Sequence, residues 1–138
     1  MQISEVRTAL ADLVRTADPA AKIIQDDEKE PVVRPAFRID VLPMGGGAAC
    51  GGARERTVDV DIWYYPQNTD HPQDECDAAA DRLLAALDEG FMAGGIWIPL
   101  DEDVSCDSTQ GVLVCQFGAS WIETAPETGE PMEELIYV

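Results

Sequence analysis

Basic residues are scarce in this chain, and their scarcity excludes several functions. The 138 residues include 9 Lys and Arg against 27 Asp and Glu, which gives a formal net charge of −18. A surface of this sign repels phosphate groups, so we do not expect the protein to read nucleic-acid sequence or to lie on an anionic membrane. The general consequence of such acidity is solubility. A more specific interpretation is that DNA must pass close to the protein without binding to it.

Signals for membranes, secretion and zinc are also missing. No apolar run approaches the length needed to cross a bilayer, and the N-terminus lacks the pattern of a signal peptide, so we expect no membrane partner and a cytosolic origin. The one histidine, His71, precedes Cys76 by five residues, and none of the four cysteines forms a CxxC pair. Zinc is therefore not expected. The cysteines are predicted to be free thiols, with Cys76 and Cys115 in the core.

Two segments are similar to ligand-binding loops but lack essential positions. Residues 45–52, GGGAACGG, have neither the lysine nor the following helix of a phosphate loop. Residues 101–112 place oxygen side chains at the first, third, fifth and seventh positions of a calcium loop. A cysteine and a valine occupy its glycine and glutamate positions, however. No metal, nucleotide or other cofactor is predicted.

Two segments have the apolar spacing of an amphipathic helix. In residues 3–17 apolar side chains recur three and four positions apart, and Asp18-Pro19 ends the pattern. A second helix is predicted over residues 72–88, with Pro72 in its first turn and Gly90 as its stop. Its buried face is predicted to comprise Cys76, Ala80, Leu83, Leu84 and Leu87. Three aspartates share an outer side, which is either a solvated face or a surface for a partner that carries Lys or Arg: Asp74, Asp77 and Asp81.

Alternating apolar residues predict a long antiparallel hairpin. Its strands are expected at residues 32–42 and 54–65, joined by the glycine-rich segment 43–53 as a mobile loop. Val33 is expected to point inward with Phe37. Further strands are predicted at 22–27, 94–100 and 112–123. The predicted core comprises Phe37, Ile39, Val58, Val60, Ile62, Leu83, Leu87, Leu113 and Phe117.

Asp59 and Asp61 share one face of the second hairpin strand, beside Trp63 and Tyr65, and permit two interpretations. A catalytic carboxylate pair would need a further group, such as a metal ligand or an oxyanion donor, and the sequence nearby supplies none. We expect instead a solvated ladder, in which opposite charges meet across the hairpin. The residues of the first strand in this ladder are Arg34, Arg38 and Asp40.

Four motifs in this order resemble the phage tail terminator family. They are RPAFRIDVLP, RTVDVDIWYYP, the helix DECDAAADRLLAALD and the strand GVLVCQFGASWIE. The resemblance covers about residues 3–123, and the glycine-rich insert, the acidity and the C-terminal extension depart from it. We therefore predict one domain over residues 1–123 and a flexible acidic extension over 124–138, with LIYV as a candidate last strand.

The resemblance implies an α+β fold, with a mixed, mainly antiparallel sheet, a long β-hairpin and two helices packed on one face. It implies a structural virion protein of the neck region, assembled in the host cytoplasm as a homo-hexameric ring. The ring would end polymerisation of the tail tube, bind the tail tube protein and join the tube to the head connector or stopper protein, while DNA passes through. No catalytic residue comes with the family, so we predict that the protein is not an enzyme.

Ring subunits need surface segments with which to contact their neighbours. The candidate interface residues lie in the glycine-rich loop, on its basic flanks and on the acidic helix face: Met44, Gly46, Arg54, Arg56, Arg34, Arg38, Asp74, Asp77 and Asp81. Two other classes stay open. One is an acidic binding module that mimics the charge of DNA and binds a basic partner; the other is a hydrolase that uses Asp59 and Asp61.

Overall fold

The computed structural model describes residues 2–24, 33–48, 50–88, 90–101 and 103–123. The predicted extension over 124–138, with LIYV, lies outside the described residues. In chain order the elements are α1 (Ile3–Ala17), β1 (Lys22–Ile24), β2 (Ala36–Ala48), β3 (Arg54–Tyr65), α2 (Gln73–Leu87), β4 (Gly90–Ala93), β5 (Ile96–Pro99), β6 (Ser105–Thr109) and β7 (Val112–Glu123). Within these ranges, no helix has both the length and the apolar character required to span a bilayer.

The strands form one five-stranded sheet, in the order β1-β2-β3-β7-β6, and a separate two-stranded hairpin of β4 and β5. β1 runs parallel to β2, and every other pairing in the large sheet is antiparallel. Two helices and a mixed, mainly antiparallel sheet confirm the predicted α+β class. β3 is the central strand of the sheet. Its side chains point alternately to the face that packs against the helices, the core side, and to the opposite face, the outer side.

The core lies between one face of the sheet and the two helices. α1 contributes Val6, Leu10 and Val14, which are spaced four residues apart and therefore share one side of the helix. α2 contributes four buried residues, Cys76, Ala79, Leu83 and Leu87. The nine residues of the predicted core, from Phe37 to Phe117, are all buried. Two other residues that were expected to point inward do not: Leu84 on α2 is 41% exposed, and Val33, which precedes β2, is 51% exposed.

The hairpin of β2 and β3 is longer than predicted, because residues 43–48 are strand and not loop. β2 continues to Ala48, and its partners run from Ala36 opposite Tyr65 to Ala48 opposite Arg54. The register shifts between Pro43 and Gly45, and Gly45 takes a φ of 119° that other residues rarely adopt. The entropy cost of ordering the glycines is offset here by the ladder of hydrogen bonds to β3, which the composition of residues 43–53 did not reveal.

Other boundaries also differ from the prediction, and one strand was not predicted. The strand expected at 94–100 is β5, Ile96–Pro99. α2 ends at Leu87, and Gly90 does not stop the helix but opens β4, whose four residues are too few to show a period. Pro72 is the residue before α2 instead of a residue of its first turn. β6 lies within the segment 101–112, which had been assigned no strand, because its polar residues form an exposed edge.

Candidate functional site

The distal end of the β2–β3 hairpin is the first candidate surface. Its two strands are joined by a short 3₁₀ turn at Cys50–Gly52. The backbones approach so closely beside Gly46 that a Cβ there would collide with the carbonyl oxygen of Glu55. The close pairing of β2 with β3 therefore requires glycine at position 46. Gly46, which was predicted as an interface residue, is thus also needed for the fold of the hairpin.

The segment 41–54 at this distal end is mostly apolar and contains no acidic residue, but acidic residues lie next to it across the sheet. Glu55 is opposite Gly47, Asp59 is opposite Leu42, and Glu123 on β7 is opposite Arg54. Leu42 is 48% exposed and Met44 is 57% exposed. Residues 41–54 contain one charged residue, Arg54, in a chain whose Asp and Glu number 27. Arg54 is exposed and has no ion-pair partner among the described residues. We name residues 42–54 the hairpin tip.

The other predicted arginines are stacked on aromatic rings. The guanidinium carbon of Arg34 lies 5.6 Å from the ring centre of Tyr65, and that of Arg38 lies 4.9 Å from the ring centre of Trp63. Arg34 also donates a hydrogen bond of 3.2 Å to the carbonyl oxygen of Pro66. Both arginines therefore lie at the end of the hairpin opposite the tip, where they cover ring faces.

Arg56 lies close to the tip but is already engaged. It stacks on Trp121 at 5.8 Å and forms an ion pair of 3.5 Å with Glu123. The indole nitrogen of Trp121 donates to the same carboxylate at 3.0 Å. This hydrogen bond is the main cause that lowers the pKa of Glu123. Of the arginines near the tip, Arg54 is therefore the one available for contact.

The outer side of α2 is the second candidate surface. Asp74, Asp77 and Asp81 are exposed along one side of the helix, as predicted, and Leu84 extends the same side with an apolar group. The one basic residue of α2, Arg82, points elsewhere and binds Asp18 at 2.7 Å. We name Asp74, Asp77, Asp81 and Leu84 the acidic stripe. Leu84 was predicted to be buried because it is apolar and adjacent to Leu83, but of the two leucines only Leu83 lies on the buried side of α2.

Glu75 fixes the start of α2 against the end of β3. The backbone N–H groups of Gln67 and Asn68 each donate to its carboxylate at 2.8 Å, and the Tyr64 hydroxyl donates at 3.1 Å. Burial alone would raise the pKa of Glu75, but these hydrogen bonds outweigh burial and lower the pKa. Because Tyr64 is at one end of β3 and Arg54 at the other, the acidic stripe begins far from the hairpin tip of the same subunit.

The outer face of the sheet carries the two aspartates of the proposed carboxylate pair. Asp59 and Asp61 border an open pocket of about 290 Å³, together with Asp103, Ser105, Gln116, Phe117 and Gly118. Burial raises the pKa of Asp61, a hydrogen bond from Gln116 lowers it in part, and the charges of Asp40 and Asp59 raise it further. Among the described residues, no group of three or more His, Cys, Asp or Glu is placed to hold a metal ion.

The predicted ladder of opposite charges is wrong. Asp40, and not an arginine, is the register partner of Asp61, while Arg38 lies opposite Trp63. Arg38 binds Asp40 along its own strand at 3.5 Å instead. The sequence showed which residues share a face, but the register between strands depends on the whole length of the hairpin.

The hairpin tip and the acidic stripe are both exposed surfaces of the subunit. The sequence model of a family described as "Phage tail terminator protein" matches residues 5–131. The chain belongs to this family, which confirms the predicted resemblance. It is therefore a structural component of a phage virion tail, with a role in tail completion, and it acts together with other tail and head proteins of the phage.

Other comparisons are more distant. No curated protein matches the chain. One solved structure, whose title states no function, has a TM-score of 0.49 at 15% identity, over 92% of this chain and 99% of that chain. This similarity is too low to support a conclusion about function.

Proposed function

We propose that this protein forms a homomeric ring, hexameric as the family resemblance implies, that closes the end of the tail tube. In this proposal the ring stops polymerisation of the tube and joins it to the head connector. It acts in the neck of the virion, after assembly in the host cytoplasm. The observation that carries the proposal beyond family membership is a pair of complementary surfaces on one subunit, the hairpin tip and the acidic stripe.

The two surfaces match in charge and in apolar character. The tip offers the exposed cation Arg54 at its far end and the exposed apolar Leu42 and Met44 further along β2, where Leu42 lies opposite Asp59. The stripe offers three aspartates and the apolar Leu84. Complementary charges of this kind fix the orientation of partners and exclude wrong ones. Each subunit carries a net charge of −18, so a segment that itself contains no acidic residue reduces the repulsion between two subunits that approach there.

The positions of the two surfaces favour a head-to-tail contact. β3 separates Arg54 from Tyr65, and an extended strand of this length spans about 36 Å. Because α2 starts beside Tyr64, the tip cannot reach Asp74 or Asp77 of its own subunit. It can reach them on a neighbour. Contacts between two different surfaces repeat from subunit to subunit, and they close into a ring when the rotation permits.

The remaining interface candidates have supporting positions in this proposal. Met44 and Gly46 shape the tip, and Arg56 holds the ends of β3 and β7 together through Glu123. Arg34 and Arg38 lie at the end of the sheet where α2 begins, near the place where the neighbour's tip would arrive. The tail tube protein and the head connector or stopper protein would contact the two open ends of the ring.

DNA is proposed to pass through the ring without specific binding. With 9 Lys and Arg against 27 Asp and Glu, each subunit has few cationic side chains that could displace the counterions of DNA, and this displacement is the usual driving force of adhesion to DNA. We expect the carboxylates to line the passage or the outer surface, where water and salt screen their repulsion.

Charge reversal tests the interface, with sedimentation velocity as the measurement. Arg54→Glu and Asp77→Arg should each lower the assembled fraction, because each places like charges in the contact. The double variant should restore assembly, since Glu at 54 would then face Arg at 77 of the neighbour. Arg15→Glu is the matched control, because Arg15 lies on α1 and binds Asp12 of its own helix.

Rescue by the double variant supports the proposed contact, and equal assembly of all variants contradicts it. If the pure subunit stays monomeric, the same four variants are compared for phage yield when each is supplied in place of the wild-type gene. The expected order is unchanged: both single variants reduce the yield of infectious particles, and the double variant and Arg15→Glu do not.

A further inference from the structure

Two cysteines face each other at the edge of the large sheet. Cys106 on β6 and Cys115 on β7 are direct register partners, and their sulfur atoms lie 2.7 Å apart. Directly opposed residues of antiparallel strands have Cα atoms about 4.5–5.5 Å apart, which is inside the range that a disulfide requires. Both are free thiols in this structure. No movement of the backbone is needed to bring them together.

The two thiols differ in access to solvent. Cys115 is fully buried in the core, and Cys106 is half-buried on the last strand of the sheet. Burial, with the neighbouring Cys106, raises the pKa of the Cys115 thiol. Cys106 is therefore the member that a reagent from solvent reaches first. A mixed disulfide formed first on the accessible Cys106 can therefore be attacked by the adjacent Cys115, which converts it into a disulfide within the protein.

We propose that Cys106 and Cys115 form a site of reversible oxidation, at which a cross-strand disulfide joins β6 to β7. The oxidant is a small-molecule disulfide such as oxidised glutathione. The Cys106 thiolate attacks one sulfur of the oxidant, and the other half leaves as a thiolate. Cys115, after losing its proton, then attacks the Cys106 sulfur and releases the second thiol. In total, two protein thiols lose two hydrogens and one small disulfide is reduced to two thiols.

The bond would secure one of the two edge strands of the large sheet. β6 has five residues, and among the strands of the described residues it pairs with β7 alone. Edge strands open locally more readily than central ones. A bond between Cys106 and Cys115 should therefore stabilise β6 more than any other element. A virion that leaves the cell moves from a reducing cytosol to an oxidising medium, which would favour formation of the disulfide outside the cell. This expectation about timing rests on the proposed function, in which the protein assembles in the host cytoplasm; the disulfide chemistry does not.

The test begins with the reduced full-length protein and oxidised glutathione. The expected product is a monomer lighter by two hydrogen atoms, whose peptide map joins Cys106 to Cys115. Cys106→Ser should abolish the loss of mass, and Cys50→Ser should not. The closed form should melt about 5–10 °C higher than the reduced form, and a reducing agent should reverse the gain. Hydrogen exchange should slow most at the amides of β6.

Three outcomes would overturn the proposal. One is a stable glutathione adduct on Cys106 without closure. Another is a disulfide between Cys106 and Cys76. The Cys76 thiol on α2 hydrogen-bonds to Ser108, which lies on β6 as Cys106 does. The third is no reaction of the folded protein. Because the peptide map is made on the wild-type chain, each outcome is decisive even if Cys106→Ser fails to fold.

Discussion

Asp40 and Asp61 lie directly opposite each other on β2 and β3, so two carboxylates face one another across the centre of the hairpin. Arg38 binds Asp40 at 3.5 Å and leaves Asp61 with a hydrogen bond from Gln116 as its polar contact on β7. The pKa of Asp61 is raised by burial and by the nearby charges of Asp40 and Asp59. Ionisation of Asp61 is therefore unfavourable in the folded protein, first because of burial and then because of repulsion, which the charge of Arg38 offsets in part.

Asp61→Asn should stabilise the fold at neutral pH. A raised folded pKa means that the contribution of Asp61 to stability is fully present below its unfolded pKa and is lost as pH rises through the folded pKa. Replacement by Asn removes that loss while keeping an oxygen for Gln116. The gain in free energy of unfolding should be at most about 1 kcal/mol, the scale of cross-strand pairs.

Urea melts at neutral pH and near pH 3 measure this effect, since carboxyl groups are largely protonated at the lower value. The gain should be present at neutral pH and absent in acid. Asp59→Asn is the matched control and should have a smaller effect, because Asp59 lies opposite Leu42 and not opposite a charge. A clear loss of stability in Asp61→Asn at neutral pH would show that the carboxylate has a specific ligand.

Phe37→Ala should cost about 3–5 kcal/mol in free energy of unfolding. Phe37 is 1% exposed and packs on the Tyr64 ring, with 4.8 Å between ring centres. Val33→Ala is the control and should change stability by less than about 0.5 kcal/mol, because this valine is exposed. Denaturant melts measure both. A cost below about 1 kcal/mol for Phe37→Ala would mean that the face of β2 is reversed.

Gly46→Ala should destabilise the hairpin tip, whereas Gly47→Ala should not. A Cβ at Gly46 collides with the Glu55 carbonyl, and a Cβ at Gly47 meets nothing within 4 Å. The expected cost at position 46 is about 1–3 kcal/mol, as for an overpacked site, and the change at position 47 should be within about 0.5 kcal/mol of zero. Melting curves of the two single variants make the comparison. Equal stability of the two variants would contradict the pairing of residues 45–48 with β3.

Glu75→Gln should weaken the junction between β3 and α2 by about 1–2 kcal/mol, because one of the two backbone donors then faces an amide NH₂. The pKa of Glu75 is lowered in the folded state, so its contribution is present above the unfolded pKa and is lost as pH falls through the folded pKa. The difference between wild type and variant should therefore shrink in acid. Asp74→Asn, one residue away and exposed, is the control for loss of one charge. An equal effect of both substitutions would contradict a specific role for Glu75.

The sequence predicted those elements whose apolar pattern repeats over many residues, and it failed for the short ones. α1 and β7 begin and end where predicted, because their apolar spacing continues over at least a dozen residues. β4 and β6 were missed because four or five residues show no reliable period. The predicted strand β2 was too short, because glycine-rich sequence usually indicates a loop. In the structure, residues 45–48 pair with β3 and are therefore strand.

The candidate surfaces were predicted in part. The acidic stripe follows from helical spacing, so Asp74, Asp77 and Asp81 were found together. The engagement of Arg34 and Arg38 with aromatic rings depends on cross-strand register, which the sequence does not specify. The exposure of Met92 and Trp97, which are partners across β4 and β5, depends on where that small hairpin lies on the molecule.

The most direct test of the central claim is deletion of the gene from its phage, followed by electron microscopy of the lysate. The account predicts tails of abnormal length, or tails that never join heads, and full rescue by the wild-type gene. Asp61→Asn should rescue equally well, because no chemistry is assigned to that carboxylate. Normal virions after deletion would contradict the account, as would a pure protein that turns over a substrate and loses this activity on Asp61→Asn.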